Sequence, residues 1–100
     1  MEMALQKQEQ ILCKALHTDL GKSKTEMMCE IGLVQGEIRW MKQHLGRLCR
    51  QKHVRTPLAQ FAAKSYQSPS PYGNVLIMSP WNYPVLLTLE PLVDAIAAGN

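Results

Sequence analysis

The clearest pattern in the chain is a series of apolar positions that recur every three or four residues between positions 27 and 48. Its members are Met27, Ile31, Val34, Ile38, Met41, Leu45 and Leu48. Such spacing places side chains on one face of an α-helix, whereas a β-strand would alternate at every second residue. The pattern therefore predicts a long amphipathic helix over residues 24–51. Ser23 and Glu26 have the spacing of a capping box, which would fix the start of this helix.

A second helix is predicted before it, over residues 2–20. This stretch is rich in residues that favour helices, and its leucines lie roughly on one side of the helix: Leu5, Leu12, Leu16 and Leu20. Gly21 follows, at a position where helices often end. The longer helix contains about three heptads, which is borderline for a dedicated coiled coil. We therefore favour packing of the two helices against each other.

The helical pattern breaks at Pro57, after which prolines and serines become frequent. Residues 65–71 contain two further prolines, and each proline pushes the residue before it toward an extended conformation. Residues 56–71 are therefore predicted to be an extended arm or linker. A short strand around residues 64–67, turning through residues 68–71, would give this arm a hairpin-like form.

An apolar run returns at residues 74–78, which read Asn-Val-Leu-Ile-Met. A continuous apolar run of this length is typical of a strand covered on both faces, as in a parallel α/β sheet. Pro80 and Pro84 then bracket a turn, and residues 86–98 are predicted to form a helix whose small residues allow close packing on a sheet. Strand, turn and helix make half of a β-α-β unit.

These elements together predict an α/β fold. The chain divides into a helical region (residues 1–55), the arm (residues 56–71) and the start of a parallel sheet (residues 72–100). With 100 residues, 46% of them hydrophobic, it can enclose one modest core. The formal net charge of +3 is mild, and six scattered aromatic residues do not form a basic, aromatic-rich surface. A nucleic-acid partner is therefore not expected.

The cysteines indicate a reducing compartment. Cys13, Cys29 and Cys49 are odd in number and too widely spaced for a Cys-x-x-Cys metal or redox pair. Each is expected to be a small buried hydrophobic residue on a helix face. No stretch reaches the roughly 18 consecutive apolar residues of a membrane span. We therefore expect a cytoplasmic protein. The histidines have no metal-ligand spacing: His17, His44 and His53.

Candidate chemistry lies in the turn at residues 79–83, because ligands of open α/β sheets bind at the carboxyl ends of the strands. Asn82 is a neutral amide donor there, of the kind that can hold a developing oxyanion. An asparagine in a proline-flanked turn more often caps local backbone groups, however, and Trp81 alone would more often be a packing residue. Glu26 and Glu30 are assigned to the helix face, without a chemical role.

The same residues carry a resemblance to a known family. The motif PWNYP at residues 80–84, with GNVLI at 73–77 and AIAAGN at 95–100, resembles the aldehyde dehydrogenase superfamily. The closest likeness is to its class 3-like, fatty-aldehyde and coniferyl-aldehyde branch, where Trp-Asn-Tyr-Pro is typical. Residues 15–31 look like the N-terminal helices of that branch.

The resemblance implies a function for the turn. Asn82 matches the asparagine that stabilises the oxyanion of a cysteine thiohemiacetal, on the way from an aldehyde to a carboxylic acid. Met78, Ser79, Pro80 and Trp81 match positions that line the path of NAD or NADP, largely through their backbone. The parallel sheet would then be part of the cofactor-binding domain. The resemblance also suggests a homodimer for a full-length form.

The resemblance leaves much of the enzyme unmatched. Members of the family are several times longer, and none of the three cysteines of this chain matches the catalytic nucleophile, nor any glutamate the general base. We therefore expect an N-terminal fragment of an NAD(P)-dependent aldehyde dehydrogenase, inactive alone. The alternative is a non-catalytic helical interaction module derived from a truncated dehydrogenase, with the apolar face at residues 27–48 as its partner surface.

Overall fold

The computed structural model describes all of residues 1–100, and they are mostly helical. The helices are α1 (Glu2–Leu20), α2 (Lys24–Leu48) and α3 (Pro84–Ala97), and the two short strands are β1 (Lys52–Val54) and β2 (Ser65–Gln67). A single 3-10 turn, Leu58–Gln60, lies between the strands. The molecule is elongated, with principal extents of 64 × 24 × 19 Å.

The junction between the first two helices forms as the sequence predicts. Gly21 ends α1 in the left-handed conformation (φ 64°), which glycine adopts without steric cost, and its N–H donates to the carbonyl of His17. Ser23 and Glu26 form the complete capping box at the start of α2: the Ser23 hydroxyl accepts from the Glu26 N–H, and the Glu26 carboxylate accepts from the Ser23 N–H. Only three residues therefore separate the end of α1 from the start of α2.

The core lies along α2, which packs against α1 on one side and more extensively against α3 on the other. The buried apolar residues of this three-helix contact are Leu5, Ile31, Val34, Ile38 and Val93. Helix packing, the interpretation favoured over a coiled coil, is therefore present, with α3 as an additional partner. Leu45 and Leu48, at the C-terminal end of the apolar face, stay exposed. Only nine of the 100 residues are buried, so the core is small.

The arm forms a hairpin, but with a different partner from the one expected. β2 pairs in antiparallel register with β1, which lies upstream, and residues 68–71 do not lead into a second strand. The prediction that α2 continues to residue 51 is wrong by three residues, because α2 ends at Leu48 and the chain turns into β1.

The predicted strand at residues 74–78 does not form, and the parallel sheet is absent from the 100 residues. The segment is extended but has no hydrogen-bonded neighbour, since the only two strands pair with each other. It lies beside α3 instead, held by two hydrogen bonds. The Gly73 N–H donates to the Asn100 side chain (2.7 Å), and the hydroxyl groups of Ser79 and Thr88 are hydrogen-bonded to each other (2.7 Å). One side of the segment therefore stays open.

Candidate active-site loop

The loop at residues 79–83 leads directly into α3, and the first turn of that helix determines how the loop is held. Pro84 occupies the first helical position, where its missing N–H is no loss. The first regular helical bond runs from the Leu87 N–H to the Tyr83 carbonyl (2.9 Å). Two N–H groups between them, those of Val85 and Leu86, have no acceptor within the helix. The capping residue, Tyr83, offers them none from its side chain.

Glu30, on α2, supplies the missing acceptor. One carboxylate oxygen (Oε1) accepts from the Val85 N–H at 2.8 Å and from the Leu86 N–H at 3.1 Å. The other oxygen (Oε2) is 2.5 Å from the ammonium group of Lys22. The Glu30 side chain is completely buried, and that of Lys22 is nine-tenths buried. A negative charge at this position also suits the positive end of the α3 dipole.

Lys22 has a second contact that reaches the loop itself. Its Nζ atom lies 4.1 Å from the centre of the Tyr83 ring, a cation–π contact. Tyr83 directly follows Asn82 in the chain. We refer to Lys22, Glu30, Tyr83 and the N–H groups of Val85 and Leu86 as the Glu30 cluster. It joins the α1–α2 connection, the body of α2 and the start of α3.

The sequence interpretation missed this role of Glu30. It assigned Glu30 to a helix face without a chemical role, together with Glu26, and only Glu26 behaves as a local capping residue. The signal was present in the spacing, because Glu30 lies one position before Ile31 and four before Val34, inside the apolar face of α2. A carboxylate at a buried position needs a partner. Its partners are 8 and 55 residues away, beyond any local pattern.

Asn82 itself is exposed, two residues before the start of α3. Its side chain takes no part in any hydrogen bond within the chain, and the N–H groups that a local cap would bind are held by Glu30 instead. The capping role considered for this asparagine is therefore not the one it has in the structure. Its amide remains available as a donor to a ligand.

The four positions before Asn82 form an exposed, extended segment. No backbone–backbone hydrogen bond involves residues 74–82, so the N–H and carbonyl groups of Met78, Ser79, Pro80 and Trp81 are open apart from the proline nitrogen. Trp81 lies at one side of a groove of about 330 Å³ that it shares with Leu16, Leu20 and Val85. An open backbone of this kind can donate hydrogen bonds to a ligand and accept them from it.

The cysteines and histidines lie elsewhere in the fold. The expectation that all three cysteines are buried is wrong for Cys29 and Cys49, which are exposed, while Cys13 is half-buried and packs against the core. His17 forms a hydrogen bond with the Lys22 carbonyl, and His44 stacks on Trp40 with ring centres 4.2 Å apart. These are local packing contacts.

Comparison with known proteins identifies the family of the chain. The aldehyde dehydrogenase family pattern matches residues 1–100. This chain belongs to the aldehyde dehydrogenase family. It is 45% identical to the 4,4'-diaponeurosporen-aldehyde dehydrogenase of Staphylococcus aureus, over 100% of this chain and 22% of that protein. It is 42% identical to aldehyde dehydrogenase family 3 member F1 of Arabidopsis thaliana, over 92% of this chain and 19% of that protein.

Further relatives place the chain in the class 3-like branch of the family, as the PWNYP motif indicated. Human aldehyde dehydrogenase family 3 member B1 is 41% identical over 96% of this chain and 21% of that protein. A structure of Staphylococcus aureus AldH in its substrate-bound state superposes with a TM-score of 0.95 and 44% identity, covering 99% of this chain and 22% of that one. The chain thus spans about a fifth of the length of the relatives that it matches. None of its helices has the length and apolar character needed to cross a membrane.

Proposed function

We propose that this chain supplies the oxyanion-stabilising asparagine, Asn82, and part of the cofactor site of an NAD(P)-dependent aldehyde dehydrogenase. The enzyme oxidises aldehydes to carboxylic acids through a cysteine thiohemiacetal. Family membership supports the reaction class. The observation that carries the role of Asn82 is its free, exposed amide at the start of α3, where the local capping role has been taken over by Glu30.

The chemistry requires a donor of this type. When a thiolate attacks the carbonyl carbon of an aldehyde, the carbonyl oxygen becomes an oxyanion. The Asn82 side-chain N–H donates a hydrogen bond to that oxyanion and does not titrate, so its strength as a donor does not vary with pH. A single donor of this kind typically contributes about 10²–10³ in kcat. NAD or NADP, when bound beside this loop, would supply the hydride acceptor for the oxidation.

The residues before Asn82 would bind the cofactor. Met78, Ser79, Pro80 and Trp81 offer an unpaired backbone along its path, while the Ser79 hydroxyl is bonded to Thr88 and so anchors the segment to α3. We propose that residues 72–100 are the beginning of the NAD(P)-binding domain. Residues 74–78 then become a strand of a parallel sheet when neighbouring strands are present. We further propose that the full-length form is a homodimer in the cytoplasm.

The 100 residues alone are proposed to be inactive. Asn82 stabilises an oxyanion that forms only when a nucleophile attacks, and the three cysteines lie on α1, on α2 and at the end of α2, outside any catalytic motif. The purified chain should therefore form no NADH or NADPH in response to an aldehyde. Aldehyde-dependent turnover above background would contradict this part of the proposal.

A graft tests the proposal in a complete enzyme. The region of the S. aureus dehydrogenase that aligns with this chain is replaced by residues 1–100, and the product is called the grafted enzyme. We expect aldehyde-dependent formation of NADH or NADPH at a rate comparable with the S. aureus parent. The matched control is the parent lacking that region, which should be inactive. A folded grafted enzyme without turnover would overturn the proposed function.

A further inference from the structure

The start of α3 is capped by a residue 55 positions earlier in the chain. A helix leaves its first N–H groups without internal partners, and a side chain in the preceding turn usually satisfies them. Here Pro84 removes one of these groups and Glu30 accepts from the next two, at 2.8 and 3.1 Å. The orientation of the first turn of α3, and therefore of the loop entering it, depends on where α2 places this carboxylate.

The carboxylate is itself held from several sides. Its second oxygen binds Lys22, and no buried side-chain nitrogen or oxygen in the molecule lacks a partner. A buried charge is tolerated only when it is paired and hydrogen-bonded, so the two amides and the ammonium group together restrict the carboxylate to one position. The Glu30 cluster is therefore a rigid joint between three elements.

The Glu30 cluster contacts the chain at two points directly after Asn82. Lys22 lies over the Tyr83 ring, and Glu30 holds the backbone of Val85 and Leu86 just beyond Pro84. Asn82 makes no hydrogen bond that would fix it directly. Catalytic groups need placement to within roughly 0.5 Å, and a misplacement of about 1 Å costs on the order of 10²-fold in rate.

We propose that Glu30, locked by Lys22, is a positioning residue that sets the location of the Asn82 amide for oxyanion stabilisation. The inference rests on the proposed function of Asn82. Glu30 does not touch the reacting atoms, and it acts through the first turn of α3 and the Tyr83 ring. Its carboxylate charge is required because a neutral side chain would accept from the two amides but would leave Lys22 without a partner.

The first test is the effect of Glu30→Gln in the grafted enzyme on kcat and KM. Glutamine keeps the shape and one acceptor oxygen but loses the ion pair. We expect kcat to fall by roughly 10- to 100-fold, with KM for aldehyde and for cofactor changed much less. The matched control is Glu37→Gln, the same substitution two turns later on the α2 surface that faces α3. It should leave kcat unchanged, because Glu37 lies near Glu90 and Asp94, in the second half of α3, and not near its first turn.

The second test separates positioning from a general structural role. In an Asn82→Ala background, Glu30→Gln should lower kcat little further, because the group that it positions is already gone. Losses that multiply would show that Glu30 acts independently of Asn82 and would overturn the inference. If Glu30→Gln does not fold, the double variant Lys22→Met/Glu30→Gln is used instead, because it also removes the ammonium group that Glu30→Gln leaves without a partner. We expect that double variant to be folded with a reduced kcat, because methionine lacks the ammonium group that lies over the Tyr83 ring. A full kcat would overturn the inference.

The two proposals fail in distinguishable ways. A folded grafted enzyme without turnover overturns the function proposed for Asn82, and the positioning role falls with it. A grafted enzyme that turns over normally both with and without Glu30→Gln leaves the function of Asn82 standing and overturns the positioning role alone.

Discussion

Replacing Lys22 by methionine isolates the energetic contribution of the Glu30 cluster. Methionine is close to lysine in length and apolar, so the substitution removes the ammonium group and keeps much of the packing. Glu30 would then be a fully buried carboxylate with only the Val85 and Leu86 N–H groups as partners. Removing one partner of a buried ion pair typically costs about 3–5 kcal/mol.

For Lys22→Met we expect an energetic cost near the lower end of that range. The remaining two amides and the positive end of α3 still stabilise the Glu30 charge, so we expect a loss of about 3 kcal/mol in the free energy of unfolding. A domain of this size is typically stable by about 5–15 kcal/mol. With only nine buried residues, this chain should lie near the bottom of that interval. The variant should therefore lose about half of its stability or more.

The assay is urea unfolding of the 100-residue chain, followed by far-ultraviolet circular dichroism. The double variant Lys22→Met/Glu30→Gln should recover most of the loss, because glutamine is neutral and can still accept from both amides. Lys14→Met, at an exposed position on α1, is the matched control and should stay within about 0.5 kcal/mol of the parent. A loss below about 1 kcal/mol for Lys22→Met, or no recovery in the double variant, would refute the reasoning about the buried pair.

Two further predictions concern the polar groups of α2. Ser23→Ala removes the capping box and should lower the free energy of unfolding by about 1 kcal/mol, measured by urea unfolding. The hydrogen bonds from Ser23 hold the pKa of Glu26 below its ordinary value of 4.5. The folded chain therefore binds fewer protons than the unfolded chain in that range, and the stability from this contact is lost as pH falls below about 4.5. Ser23→Ala removes the hydroxyl donor and keeps the backbone donor, so it should reduce that part of the acid sensitivity, and an unchanged pH profile would contradict the assignment. Burial, followed by the nearby Asp94 and Glu90 carboxylates, raises the pKa of Glu37 above 4.5. In this case the folded chain holds the proton longer, so stability falls as pH rises from 4.5 through the raised pKa. Glu37→Gln should accordingly stabilise the chain at neutral pH and bring no gain below pH 4.5 in thermal unfolding. A gain that persists in acid would contradict the prediction.

Local patterns predicted the parts of the fold whose causes are local. The three- and four-residue spacing of apolar side chains predicted the first two helices, and the spacing of Ser23 and Glu26 predicted the capping box. Both depend on neighbours within one helical turn. The start of α3 was expected two residues late, because Pro84 was interpreted as part of a turn and not as the first helical residue.

The parts that were missed depend on partners far away in the chain. The paired residues of β1 and β2 are 11 to 15 positions apart in the chain, and nothing in the sequence around His53 favours a strand by itself. The apolar run at residues 74–78 has strand composition, but a strand needs a hydrogen-bonded neighbour, and these 100 residues provide none. Glu30 was missed for the same reason, since its amide partners are 55 and 56 residues away.

The sequence predicted the residue type of the candidate site, but not the contacts that hold the site in place. Asn82 was singled out by residue type and by the PWNYP resemblance, before any contact was known. Only the structure shows that its amide is free. The sequence is the same whether the asparagine caps local backbone groups or leaves its amide available to a ligand. The residue that explains the difference, Glu30, looked like an ordinary charge on a helix face.

The most direct test of the central claim is the kcat of the grafted enzyme carrying Asn82→Ala. The substitution removes one oxyanion donor and leaves the capping of α3 by Glu30 intact, so kcat should fall by about 10²–10³-fold. Asn74→Ala, in the same extended segment, is the matched control and should retain the parental kcat. A decrease of less than about threefold for Asn82→Ala, far below the effect of a lost oxyanion donor, would contradict the account.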